Sequence, residues 1–213
     1  MREHLLDHAE ALFARHGLHG VTIREVARRA HVDPALVHYY FGTKTGLFDA
    51  VFMRRADILN VERMRSMDAY ARNAGEHITV EGCVEAFLEP IYRRSLQADA
   101  GWKNYFRLVA LVNNSSEWGG EMMTRFFDPV IRRLLDLLRK CMPHASEVEL
   151  FWSYHFLSGA LTLSLSETGR IDRLSGGLCA STDMEALHRR MVPFIAAGFR
   201  RLCEPQTTEG ERT

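Results

Sequence analysis

Between residues 21 and 48 the chain sets Arg24, Arg28, Arg29 and Lys44 against only two acids, Glu25 and Asp33, so this stretch is locally basic. Lys44 is the most telling of these cations, because a positive charge in the first turn of a helix opposes the macrodipole. An anion there removes the conflict. With Thr43 as the cap, the free amides of that turn form a pocket suited to a phosphate. Tyr39 and Tyr40 carry hydroxyls that can donate to phosphates, although beside Phe41 they equally suit a core. His38, once protonated in mild acid, would add a further donor. His4 and His8 stand one helical turn apart, a spacing that can hold a metal, yet no carboxylate or thiol is placed to complete a site. Neither a metal nor a cofactor is therefore expected.

Enzymatic signatures are missing. There is no GxSxG elbow, no HExxH, no Walker loop and no GxGxxG after a strand. The 213 residues, 46% hydrophobic and 25% charged, are ordinary for a soluble globular chain. The 27 basic and 27 acidic residues cancel, so no global field draws the protein to nucleic acid and a binding claim must rest on local pattern. No apolar run approaches the roughly 18 residues of a membrane span. Glu3, Asp7 and Glu10 occupy the region where a secretory signal would be apolar. A cytoplasmic protein without membrane contact is expected. Cys83, Cys141, Cys179 and Cys203 lie far apart with no CxxC pair, which fits reduced thiols and leaves the sequon Asn113-Asn114-Ser115 without meaning.

The elements that must position these groups are helical almost throughout. Leu5, Ala9, Leu12 and Phe13 draw one stripe on a first helix over about residues 2–16, which Gly17 ends. Thr22 with Glu25 makes a capping box for a second helix at about 22–30, with Ile23, Val26, Ala27 and Ala30 on one side. Asp33 and Pro34 start a third, which Gly42 closes after Phe41. Val37 and Phe41 share its core face, leaving His38 and Tyr39 outward and Tyr40 between. A much longer helix runs from near Lys44 towards Gly75, joining two units without a flexible linker. Further helices are expected at roughly 80–98, 102–114, 129–141, 146–167 and 183–203. Their starts are marked by Asp128-Pro129, by Ser146 with Glu149 and by Thr182 with Glu185. Pro90 and Pro193 should kink or break two of them. Thr168 to Ser181 reads as a loop and Glu204 to Thr213 as a polar tail. The expected fold is all-α with about nine helices: residues 1–48 as the first domain, 49–203 as the larger one and 204–213 as tail.

Three short helices with the turn Ala30-His31-Val32-Asp33 between the second and third form a helix-turn-helix over about residues 22–41, a unit that presents its last helix to the DNA major groove. Leu12-Phe13, Gly17, Gly20-Val21-Thr22-Ile23, Val26-Ala27, Ala30, Val32, Val37-His38-Tyr39-Tyr40-Phe41, Gly42-Thr43-Lys44 and Leu47 together closely resemble the TetR family of bacterial one-component transcriptional regulators. The resemblance covers the first quarter of the chain. It implies an amino-terminal DNA-binding domain, a divergent helical ligand-binding domain, and a homodimer that leaves its operator when a small molecule binds. Repression is implied over activation. Three positions depart from the family pattern: His31 stands where glycine is usual, Asp33-Pro34-Ala35 replaces a commoner serine and glycine pattern, and His38 replaces a frequent tyrosine. Histidine tolerates the positive φ of such a turn better than most residues. The departures bear on the base contacts.

The segment Pro34 to Phe41 holds no Arg, Lys, Asn or Gln, so the usual bidentate readers of guanine and adenine are absent from it. Pro34, Ala35 and Leu36 are expected to touch thymine methyls, and Arg24 to supply the one strong guanine contact. Thr22, Arg28, His38, Tyr39, Tyr40, Thr43 and Lys44 complete the expected double-stranded DNA contacts. In the larger unit Trp102, Phe106, Met122, Phe126, Phe127, Trp152, His155 and Phe156, with Tyr105, Trp118 and Met123 nearby, exceed what a tight bundle needs. Polarizable methionine among aromatics suits an apolar effector pocket. The stretch from Phe126 to Phe156 also resembles regulators that sense fatty acyl groups. The resemblance implies a four-helix dimer interface from helices 146–167 and 183–203, carried by Leu157, Leu161, Leu165, Leu187, Met191, Phe194 and Phe199. Small residues such as Ser158, Gly159 and Ala160 allow close helix approach there. The alternatives are a helical adaptor using its amino-terminal unit for protein contacts and, more remotely, an enzyme.

Overall fold

A computed structural model describes residues 1–97, 99–115 and 119–203, and these form ten helices and no strand. They are α1 Arg2–His16, α2 Ile23–Arg29, α3 Pro34–Phe41, α4 Lys44–Ala74, α5 Val80–Ser95, α6 Ala100–Asn113, α7 Gly119–Cys141, α8 Glu147–Leu165, α9 Arg170–Leu174 and α10 Met184–Cys203. Trp118 and the expected tail 204–213 lie outside the described residues.

Most helix boundaries follow local chemistry. Gly17 caps α1 at φ 66°, and Thr43, Thr79 and Ser146 each accept an amide hydrogen from the third residue beyond them. Gly46 is required by close approach, because a Cβ there would lie 2.4 Å from the Phe41 carbonyl oxygen. Three expectations fail. α7 starts at Gly119, and Pro129 lies inside it, not at its head. The cap of α10 is the Asp183 carboxylate, which accepts from Ala186 N at 2.9 Å, where Thr182 was expected. The expected loop after α8 contains α9. Pro90 and Pro193 sit within α5 and α10 without ending them.

α4 passes unbroken through the expected domain boundary after residue 48 and serves both units. α1 packs on α2, α4 and α6, while α4 continues against α5 and α7, and α10 lies across α5 and α8. Phe52, fully buried on α4, joins the two halves of the core through ring contacts to Phe48, Tyr105, Phe126 and Phe127.

Candidate functional site

The helix-turn-helix is tied down at every turn. Thr22 Oγ1 accepts from Glu25 N (3.2 Å), and Asp33 Oδ1 accepts from Ala35 N (2.7 Å). His31 adopts φ 55° between them, and His31 N and Val32 N donate to the carbonyls of Arg28 and Ala27. The His4 ring pairs with the Ala30 carbonyl at 3.1 Å, so its Nε2 carries the donating hydrogen and α1 is stapled to the turn. Only Val37 of α3 is fully buried. Phe41 is half-buried, with the Arg2 guanidinium 5.5 Å from its ring centre.

The remaining face of α3 meets solvent. Tyr39 is 80% exposed and Tyr40 38%, their rings edge to face. Ala35 and His38 are exposed, while Pro34 and Leu36 are half-buried. His38 Nδ1 lies 2.8 Å from the Gly42 carbonyl, which can only accept, so Nδ1 carries the hydrogen and Nε2 points outward. Thr22, Arg24, Arg28, Arg29 and Thr43 are exposed, and Lys44 is half-buried at the start of α4. Thr43 Oγ1 takes Gly46 N at 3.0 Å, and no helical carbonyl reaches the amides of Lys44 and Thr45. Among the described residues none of Arg24, Arg28, Arg29 and Lys44 forms an ion pair, whereas Arg54, Arg55, Arg94, Arg133 and Arg139 of the helical body all do. The exposed parts of α2 and the start of α4 therefore present unneutralised cations and free amides.

His8 is half-buried on α1 beside His4. Its rings with His4 stand edge to face at 4.6 Å, and no group of three metal-binding side chains occurs among the described residues. Burial holds the His8 pKa below its ordinary value; His4, Arg29 and His31 lower it further, and Asp7 opposes them. A lowered folded-state value means that protonation favours unfolding, so the stability present above the unfolded-state pKa is lost as pH falls through the folded one. The Tm of the full chain should fall between about pH 7.5 and 5.5, and His8→Gln should flatten that slope. An unchanged slope in the variant would assign the loss to other groups.

The link from this unit to the larger one is ionic. Glu10 of α1, 3% exposed, receives Arg54 Nη2 at 2.6 Å and Arg55 Nε at 3.0 Å from α4. Arg54 also meets Asp7 at 2.7 Å, and Arg55 meets Asp99, the cap of α6, at 3.4 Å. The guanidiniums of Arg55 and Arg94 lie over the buried Trp102 ring.

Of the expected pocket residues, Phe106 and Phe127 line an internal cavity between α4, α5, α6, α7 and α8. Trp102 is buried against Phe106, and Met122 and Phe126 pack half-buried on the core, all three outside the cavity lining. Trp152, His155 and Phe156 lie on the solvent face of α8, outside the lining of that cavity. Leu157, Leu161 and Leu165, expected at a dimer interface, line the cavity instead. Met191 and Phe199 are buried within the chain and Leu187 half-buried, so of the expected interface residues only Phe194, 72% exposed, faces outward. The physical reason is that α8 is apolar on both faces, so spacing marks a stripe without saying which stripe is inside. Tyr105 and Met123, noted near the expected pocket, also line the cavity, whereas sequence reading missed Arg63, Tyr154, Ser158 and Thr162 there. For Arg63 a signal existed: it follows Leu59 and precedes Met67 at four-residue steps on the buried stripe of α4.

Residues 5–51 match the family model described as bacterial regulatory proteins, tetR family, and residues 85–198 match the tetracyclin repressor-like C-terminal domain. The HTH-type transcriptional regulator BetI of Rhizobium meliloti (strain 1021) is 37% identical over 70 residues, 33% of this chain and 34% of that protein. The match thus spans about a third of that relative's length. The fatty acid degradation regulator FadR from Bacillus halodurans superposes with a TM-score of 0.62 at 17% identity, covering 93% of this chain and 96% of that one. SmeT, the repressor of the Stenotrophomonas maltophilia multidrug efflux pump SmeDEF, gives a TM-score of 0.60 at 17% identity over 92% and 89% of the two chains. Likeness at that identity concerns the fold. The family models, which between them match both the helix-turn-helix and more than half of the chain, carry the assignment: this protein belongs to the TetR family of bacterial transcriptional regulators.

Proposed function

We propose that this regulator is a cytoplasmic repressor that binds a palindromic operator as a homodimer and is released by a small, largely apolar effector. The observation that carries the reading is the set of cations left without carboxylate partners among the described residues on α2 and at the start of α4, together with the exposed Tyr39 and Tyr40 of α3. On this reading Lys44, Thr43, Thr22, Arg28, His38, Tyr39 and Tyr40 hold phosphates and fix register, while Arg24, Pro34, Ala35 and Leu36 meet base edges. The exposed aromatic face of α8 and α10 supports a dimer, and the cavity among α4 to α8 supports an effector site. SmeT is a repressor, which favours repression here. No helix among the described residues is long and apolar enough to cross a membrane. Release requires that the effector prefer one separation of the two recognition helices, since half-sites lie about 34–36 Å apart or a multiple of that.

The experiment is selection of bound duplexes from a random DNA pool, then anisotropy titration of the winner at two salt concentrations. A palindromic consensus bound by two chains, weakening steeply with salt, is expected. No enrichment, together with salt-insensitive contacts to protein, would overturn the reading in favour of an adaptor. With the operator in hand, Arg24→Ala should cost about 1–3 kcal/mol and relax preference at one base pair. Equal loss across unrelated duplexes would show that Arg24 touches backbone only.

A further inference from the structure

Arg63 carries a charge that no carboxylate among the described residues answers. It lies on the buried stripe of α4 and is only 5% exposed. Its Cζ stands 3.7 Å from the centre of the Phe87 ring, which covers one face of the guanidinium. Its Nε has no hydrogen-bond partner, and no carboxylate pairs with it among the described residues. The phenols of Tyr154 and Tyr105 are the titratable groups that act on its charge. Burial pulls its pKa down to about 10, so it remains a cation at neutral pH. The Tyr105 hydroxyl, 1% exposed, is also without a partner, and burial pushes its pKa up, so it stays a neutral donor.

Arg63 and Tyr105 both belong to the wall of one cavity of about 40 Å³. Tyr154, Ser158 and Thr162 add hydroxyls to its wall, and Phe106, Met123 and Phe127 supply apolar surface. Removing the partner of a buried charge is strongly destabilising, so a buried arginine without one is a feature that a ligand can repair. A molecule without an acceptor atom would leave both donors as they are, and a neutral acceptor would leave the charge of Arg63 unanswered. We propose that the effector is an anionic amphiphile whose carboxylate seats on Arg63 and the Tyr105 hydroxyl, with its apolar body against Phe106, Met123 and Phe127. The void has room for a headgroup of a few heavy atoms, given that one water needs about 10–15 Å³. The body of the ligand enters as the wall adjusts, and the flexible Met123 side chain is suited to that. The inference rests on reading the larger unit as an effector domain.

The test uses the full chain without DNA. Saturated carboxylates of four to sixteen carbons and the matching primary alcohols are titrated by calorimetry and by their effect on Tm. At least one carboxylate should bind ten-fold or more tightly than its alcohol. Arg63→Met should abolish that preference and raise the Tm of the free protein, the opposite of what loss of a structural arginine would do. Tyr105→Phe should weaken the carboxylate several-fold while leaving the alcohol unchanged. If no carboxylate outbinds its alcohol, or if the preference survives in Arg63→Met, the proposal fails. Operator anisotropy in parallel separates the two claims. Carboxylate binding lost in Arg63→Met but without operator release would keep the headgroup site and sink the effector reading. Release by an alcohol that ignores Arg63→Met would do the reverse.

Discussion

Glu10→Gln is expected to lower folding stability by about 3–5 kcal/mol, the range for breaking a buried ion pair from one side. The Glu10 carboxylate, 3% exposed, is shared by two guanidiniums that are themselves mostly covered. Burial lowers the Arg54 pKa, but the hydrogen bonds it donates to Glu10 and Asp7, with their charges, outweigh it and leave it above its ordinary value. A glutamine of the same shape removes the charge and turns an amide N–H₂ towards one of the arginines, so the two cations face each other with less compensation. Asp7 and Asp99 keep one contact to each arginine, which places the expected loss near the lower end of the range. Urea denaturation at fixed protein concentration measures it. A loss below about 1 kcal/mol would show that solvent screens the network as it does an exposed pair. The same variant bears on function, because Glu10 joins α1 to α4, and Asp99 carries the link on to the start of α6. α1 in turn holds the helix-turn-helix through its packing on α2 and the His4 contact to Ala30. A weakened joint should reduce the effector response of operator binding more than operator binding itself.

Phe194→Asp is expected to yield monomers and to lower operator affinity by at least about 100-fold. Phe194 is 72% exposed in the single chain, with Trp152 at 53% and Phe156 at 55% on the neighbouring helix α8. Gly159 and Gly198 on the same helices have nothing within 4 Å of an added Cβ, so a partner helix can approach closely. In a two-fold interface each aspartate meets the same patch of its copy, desolvating charge where an aromatic group would be buried. Losing the dimer costs the operator its second linked half-site, an advantage worth about 10²–10⁴. Sedimentation and anisotropy read the two effects, and the far-ultraviolet circular dichroism of the variant should be unchanged because the side chain is solvent-facing within the chain. A variant that stays dimeric would move the interface elsewhere.

The first 48 residues were legible because their architecture is local chemistry. Thr22, Asp33 and Thr43 cap helices with their own side chains, Gly17 and Gly42 end them at positive φ, and His31 sits in the turn at φ 55°. Each of these is decided within four residues of chain. Further along, the local signals misled wherever packing outweighed them. Asp128-Pro129 has the chemistry of a helix start, yet α7 begins at Gly119. Met122, Met123 and Phe126 pack on the core, and Asn60 Nδ2 donates to the Phe126 carbonyl at 2.7 Å, so tertiary contacts sustain a helix that Pro129 alone would have cut.

The sequence by itself determined the helix-turn-helix, the outward positions of His38 and Tyr39 and the all-helical class, since these depend on spacing and caps. Only the tertiary structure decided that Leu157 faces a cavity while Trp152 and Phe156 face solvent, and that Arg63 is buried with no carboxylate paired to it among the described residues. A helix apolar on both faces has no preferred inside until its neighbours are placed, and a charge is unpaired only with respect to groups that the fold brings near.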